Sequence, residues 1–211
     1  MKGRVMKRLV VLIVLMLSLN TVSLQAGDIP HGVAGFTLGH NVAQIKNRLQ
    51  METVLPLRYR EYLREVEIAA LPEFKSGVIV YGTCEQPGRI VRIKLKYADA
   101  SRAFYDALLE RVEMRFGKPT SYEGDPFHIV IEWKWSFIAA DGNRITMHLS
   151  HNNRDTEEKF GNAIKLTLVS AMNKERQCFR DKAPQAGDSQ KEGHRPLESL
   201  SAEDWKALLP N

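Results

Sequence analysis

From Gly77 onward the sequence alternates apolar and polar residues, and this rhythm limits the possible folds more than any other feature. Successive side chains on a β-strand point to opposite faces. The stretches VIVYGTC, RIVRIKLKYA, HIVIEWKWSFIA, RITMHLS and AIKLTLVSAM therefore each read as strands. Pro87 and Gly88 suit a turn between the first two, and Asp141, Gly142 and Asn143 suit one between the next pair. Between these runs lies SRAFYDALLERVEMRFGKP, with Ser101 as a helix cap and Phe104, Tyr105, Leu108, Leu109, Val112 and Phe116 along one face. Gly117 ahead of Pro119 ends that helix.

Upstream, Asn41 caps a short helix carrying Val42, Ile45 and Leu49. The stretch RYREYLREVEIAAL fits a helix through Tyr59, Tyr62, Leu63 and Val66, or a strand through Val66 and Ile68, with extended structure favoured ahead of Pro72. The pattern predicts an α+β domain over residues 27–180, an antiparallel sheet packed on amphipathic helices.

Alternation also sorts the side chains of the strand starting at His128. Ile129, Ile131, Trp133, Trp135 and Phe137 share one face, and His128, Val130, Glu132, Lys134 and Ser136 share the other. Burying both indoles is worth about 8 to 12 kcal/mol at most, which assigns them to the core in preference to a displayed ligand platform. The polar faces of the same strands carry Arg92, Lys94, Lys96, Lys134, Arg144, His148 and Lys165, relieved mainly by Glu132. Like charges in facing positions cost stability, so this face is a candidate surface for an anionic partner. The plainer reading is a solvated sheet face, partly neutralised by Asp155, Glu157 and Glu158.

The ends of the chain speak to location. Lys2, Arg4, Lys7 and Arg8 precede an apolar run from Leu9 to Leu19, the layout of a signal peptide over residues 1–26 with cleavage expected after Ala26. That run is too short to span a bilayer, and no second run of spanning length follows. Taking those four cations from 30 leaves 26 basic residues against 25 acidic ones, so the exported chain is nearly neutral and no nucleic-acid partner is expected. Cys84 and Cys178 are the two cysteines, and in an oxidising periplasmic or secreted setting they are expected to form one disulfide. Residues 181–196 have the composition of a flexible linker. In residues 197–211 a capping Ser201 leads a short amphipathic helix whose stripe of Trp205, Leu208 and Leu209 is a candidate partner contact.

Catalytic motifs are absent: there is no GxSxG, Walker loop or GxGxxG after a strand. His148 and His151 point to opposite faces if both lie on one strand, so no metal and no cofactor are expected. The expectation is a non-catalytic binding or assembly protein. Its alternative is a periplasmic hydrolase or small-ligand binder with a cleft near Trp133 and Glu132.

The stretch GVAGFTLGHNVAQIKNRL, a glycine-flanked F-x-L-G turn leading into a helix, resembles the opening of exported modules of the SmpA/OmlA and beta-lactamase-inhibitor-like type. RFGKP is similar to the helix exits of such modules. The resemblance implies a non-catalytic binding or assembly role outside the cytoplasm. It departs from the SmpA/OmlA pattern in having no cysteine for lipidation after the apolar run, and it carries over no functional residue.

Overall fold

The computed structural model describes residues 28–152, 161–182 and 201. The expected signal peptide, the loop carrying Asp155, Glu157 and Glu158, most of the linker, and the stripe of Trp205, Leu208 and Leu209 lie outside the described residues. Two short strands, β1 (Gly32–Val33) and β2 (Phe36–Thr37), pair antiparallel and lead into a 3-10 segment, Val42–Arg48. Asn41 caps that segment by accepting the Ala43 N–H. The main sheet then builds from β3 (Leu49–Leu57), β4 (Arg60–Ile68), β5 (Phe74–Gly82) and β6 (Ile90–Tyr97), followed by α1 (Arg102–Phe116). A second run of β7 (Ser121–Tyr122), β8 (Val130–Ile138), β9 (Arg144–Asn152) and β10 (Asn162–Leu168) is followed by α2 (Val169–Lys182).

Four strands and a helix thus occur twice. The two runs meet at β6 and β10, giving one eight-stranded antiparallel sheet in the order β3-β4-β5-β6-β10-β9-β8-β7. The fold is α+β, as the alternation predicts. Among the described residues no helix is long and apolar enough to cross a membrane.

Register determines what each face presents. Val66, Ile79, Ile93, Leu166, Met147 and Trp135 align across β4, β5, β6, β10, β9 and β8, and all six are buried. Helix α1 lies over the β8 and β9 end of this apolar face. Tyr105 packs at a tilt against His151 with ring centres 5.3 Å apart, Phe116 meets the edge of Phe137 at 6.1 Å, and the Trp135 indole donates to the Gly117 carbonyl at 2.8 Å. Phe36, Leu38 and Val42 join the same core, and Arg115 of α1 pairs with Asp28 at 3.1 Å.

Helix α2 takes the opposite face. There the Met172 sulfur meets Arg60 at 3.7 Å and Arg92 at 3.8 Å. The buried Glu175 carboxylate accepts backbone N–H groups from Cys84 (2.7 Å), Glu85 (3.1 Å) and Gln86 (2.8 Å). Gly82 makes this approach possible, because a Cβ there would lie 2.2 Å from the Glu175 side chain. One turn on, Cys178 forms the expected disulfide with Cys84.

Four sequence expectations need correction. The stretch AIKLTLVSAM is not all strand, because β10 stops at Leu168 and α2 begins at Val169. Its Ser170 hydroxyl accepts the Arg144 N–H, and the helix runs through Lys182, two residues into the expected linker. Helices do not pack on the apolar face alone, since α2 sits on the polar one. Leu49 begins a strand instead of ending a helix; β3 is an edge strand, where Pro56 is tolerated and the pairing with β4 is irregular. Finally, β8 starts at Val130, because His128 adopts a left-handed φ of 55° in a turn whose Asp125 carboxylate accepts the N–H groups of Phe127 and Val130.

Candidate anion-binding face

The polar face carries the cations that alternation assigned to it. One row across the sheet reads Glu67, Val78, Lys94, Lys165, His148 and Lys134, so Lys94 faces Lys165 directly across the β6–β10 seam. Adjacent strands lie about 4.8 Å apart, which places these groups within reach of one another.

The six predicted cations have different surroundings. Arg92 lies under α2, with its Nε donating to the Thr167 hydroxyl at 3.3 Å; burial, and then the nearby Arg60 charge, push its pKa down. Arg144 stands at the start of β9, away from the central row. Lys134 pairs with Glu123 at 2.7 Å, and Lys165 with Glu132 at 3.2 Å. Lys94 is exposed and has no hydrogen-bond or ion-pair partner among the described residues. Lys96 lies two register positions further along β6, opposite Ala163.

Glu132 organises one side of this surface. Its Oε1 contacts His148 Nδ1 at 2.6 Å and accepts from Lys165 at 3.2 Å. The His148 hydrogen bond, reinforced by Lys165 against the opposing effect of burial, holds the Glu132 carboxyl down at about 2. A carboxylate kept ionised in this way accepts hydrogen bonds; it is the reverse of the raised pKa that a general acid needs. Glu123, which the sequence reading missed, approaches His148 at 3.5 Å. Glu123, Glu132 and His148 each offer a ligand atom within 4.8 Å of the others, a set that could hold a metal ion. Lys134 and Lys165 already stand against these carboxylates, and a cation there would meet their repulsion.

A cavity of about 300 Å³ opens beside this network, walled by Lys94, Lys96, Lys165, Glu132, His148 and Ser150, with Val130 and Ala163 adding apolar surface. A neighbouring depression of about 440 Å³ shares Lys94 and Lys96 and adds Glu67 and Lys75. Glu132 therefore borders a cleft, but the tryptophans do not. Trp135 is 1% exposed on the other face, and Trp133 is half-buried there with its ring 4.8 Å from Tyr122. His151 also points away, its Nδ1 held by Asn162 at 2.8 Å, as the opposed parity of the two histidines requires. Parity with His148 could have found Ser150, whereas Glu123 arrives through a loop fold with no periodic signal.

Comparison with family models, curated proteins and solved structures finds no match to this chain.

Proposed function

We propose that this is an exported, non-catalytic binding protein that holds an anionic group of its partner on the open part of the polar sheet face. The observation that carries the reading is Lys94, exposed without a partner among the described residues, beside a cavity and directly opposite a second lysine. Pure architecture gains nothing from that juxtaposition, since facing like charges destabilise a sheet. The disulfide and the leader-like first 26 residues support a place outside the cytoplasm. The likeness of residues 32–49 to SmpA/OmlA-type modules points the same way, and Trp205, Leu208 and Leu209 supply a second candidate contact.

The test is crosslinking in the native envelope followed by mass spectrometry, comparing the natural chain with the Lys94→Glu, Lys96→Glu double variant. The reading expects the variant to lose the crosslinked partner at an unchanged melting temperature. Undiminished recovery of the partner would overturn it.

A further inference from the structure

We infer that α2 is a lid, latched by the Cys84–Cys178 disulfide, over an oxyanion clamp formed by the guanidinium groups of Arg60 and Arg92. The inference rests on reading the open face as an anion-binding surface, and it adds how the extent of that surface is regulated. Both guanidiniums converge on one atom: the Met172 sulfur accepts from Arg60 at 3.7 Å and from Arg92 at 3.8 Å. A thioether is a weak acceptor, whereas each guanidinium offers several donors. Arg92 has one further bond, to the Thr167 hydroxyl at 3.3 Å, and among the described residues no carboxylate pairs with either arginine. Glu65, the acid whose charge acts on Arg92, stands two strands away across Val80. A carboxylate or phosphate oxygen would serve the pair better than sulfur, since charge-assisted hydrogen bonds are roughly twice as strong as neutral ones. Arg92 lies two residues from Lys94 on β6, about 7 Å along the same face, so the clamp continues the open surface beneath the helix.

What holds the lid is local. Of the 14 residues of α2 only Ala171, Met172 and Glu175 are buried, a narrow strip for a helix that depends on packing for its place. Its second half is held by Glu175 under the N–H groups of residues 84–86 and, one turn on, by the disulfide. Arg176 on the Tyr62 hydroxyl at 3.1 Å and Phe179 beside the Tyr62 ring at 5.9 Å complete that contact nearer the surface. Both cysteines are half-buried, within reach of an attacking thiolate. The opening step is exchange with a dithiol: one of its thiolates attacks a sulfur of the pair, and the other cysteine leaves as a thiolate. The second thiol of the dithiol then closes the reductant's own disulfide and frees the remaining cysteine. Two electrons pass from the dithiol to the cysteine pair, and its two protons end on the Cys84 and Cys178 thiols. Glu175 is then the remaining anchor of that half, and water can take up both sides of its bonds.

The experiment is amide hydrogen exchange on the full exported chain, oxidised and after reduction with dithiothreitol, with pyrophosphate titrated calorimetrically into both forms. Reduction is expected to speed exchange about tenfold or more in α2 and residues 84–88 while α1 keeps its protection, and to tighten pyrophosphate binding about tenfold. Arg60→Gln or Arg92→Gln is expected to remove that gain and leave the affinity of the oxidised form unchanged. Met172→Glu places a carboxylate between the two guanidiniums and is expected to keep α2 protected after reduction. Unchanged exchange in α2 once both thiols can be alkylated, exchange rising equally in α1, or one pyrophosphate affinity for both forms overturns the inference. If reduction has no effect while the Lys94→Glu, Lys96→Glu variant still loses its crosslinked partner, the latch falls and the open-face reading stands. If reduction opens α2 but that variant recovers its partner undiminished, it is the open-face reading that falls.

Discussion

The two sides of the sheet are held by different means. On the apolar side a continuous row from Val66 to Trp135 closes under α1 and the N-terminal residues, and its stability comes from area removed from water. On the polar side α2 buries Ala171 and Met172 over one end of the face and is fastened there by Met172 against two arginines, Glu175 under three backbone N–H groups, and one disulfide. The apolar side is buried along its whole row, whereas α2 covers only one end of the polar side. The helix can secure one end of a sheet face and, among the described residues, leave Lys94, Lys165 and their cavity uncovered.

If this contrast is right, the most damaging change belongs to the apolar side. Trp135→Ala removes a buried indole and its bond to Gly117, and urea denaturation should show a loss of about 3 to 5 kcal/mol. A loss below about 1 kcal/mol would mean that area is not what closes that side. Next comes the point attachment of α2. The Cys84→Ser, Cys178→Ser pair should lose about 2 to 4 kcal/mol by the same assay, with the increase in amide exchange concentrated in α2 and residues 84–88. Exchange rising equally in α1 would erase the distinction between the two helices.

The third effect is smaller and depends on pH. The Glu132 carboxyl is held at about 2, below its ordinary value near 4.5, so its contribution is present above about pH 4.5 and is lost as pH falls toward 2. Allowing for partial exposure, about 1 to 2 kcal/mol should disappear over that window, and Glu132→Gln should flatten this part of the profile. Parallel melting curves for the two proteins would contradict the assignment. Smallest of all, Lys94→Met should change stability by no more than about 0.5 kcal/mol, with a gain expected because it relieves repulsion across the β6–β10 seam. A loss above about 1 kcal/mol would make Lys94 a structural residue.

What the sequence disclosed follows from the range of the interactions involved. Period-two alternation is local, so it correctly placed Lys94, Lys134, His148 and Lys165 on one face and Trp135 on the other. The Ser101 cap, accepting the Phe104 N–H at 3.2 Å, and the stop at Gly117 were legible for the same reason. Helix α2 was hidden because an apolar run continues from β10 into its first turn, and because Cys84 and the backbone around Glu175 reach it from some 90 residues away. β3 was hidden by Pro56 and an irregular edge pairing that shows no clean alternation. The candidate site was half legible. Its cations could be assigned to a face, but which of them α2 would cover, or Glu123 would neutralise, depended on segments distant in sequence.

The bond between Cys84 and Cys178 spans 94 residues and joins the first strand run to the helix after the second. Cys84 therefore precedes its partner in synthesis by 94 residues, and their bond can close only after the strands between them have been made. The β6–β10 seam that carries Lys94 and Lys165 is likewise built from the ends of the two runs. The step that assembles the proposed binding surface thus comes late in biogenesis, and oxidation of this cysteine pair would serve as its timestamp.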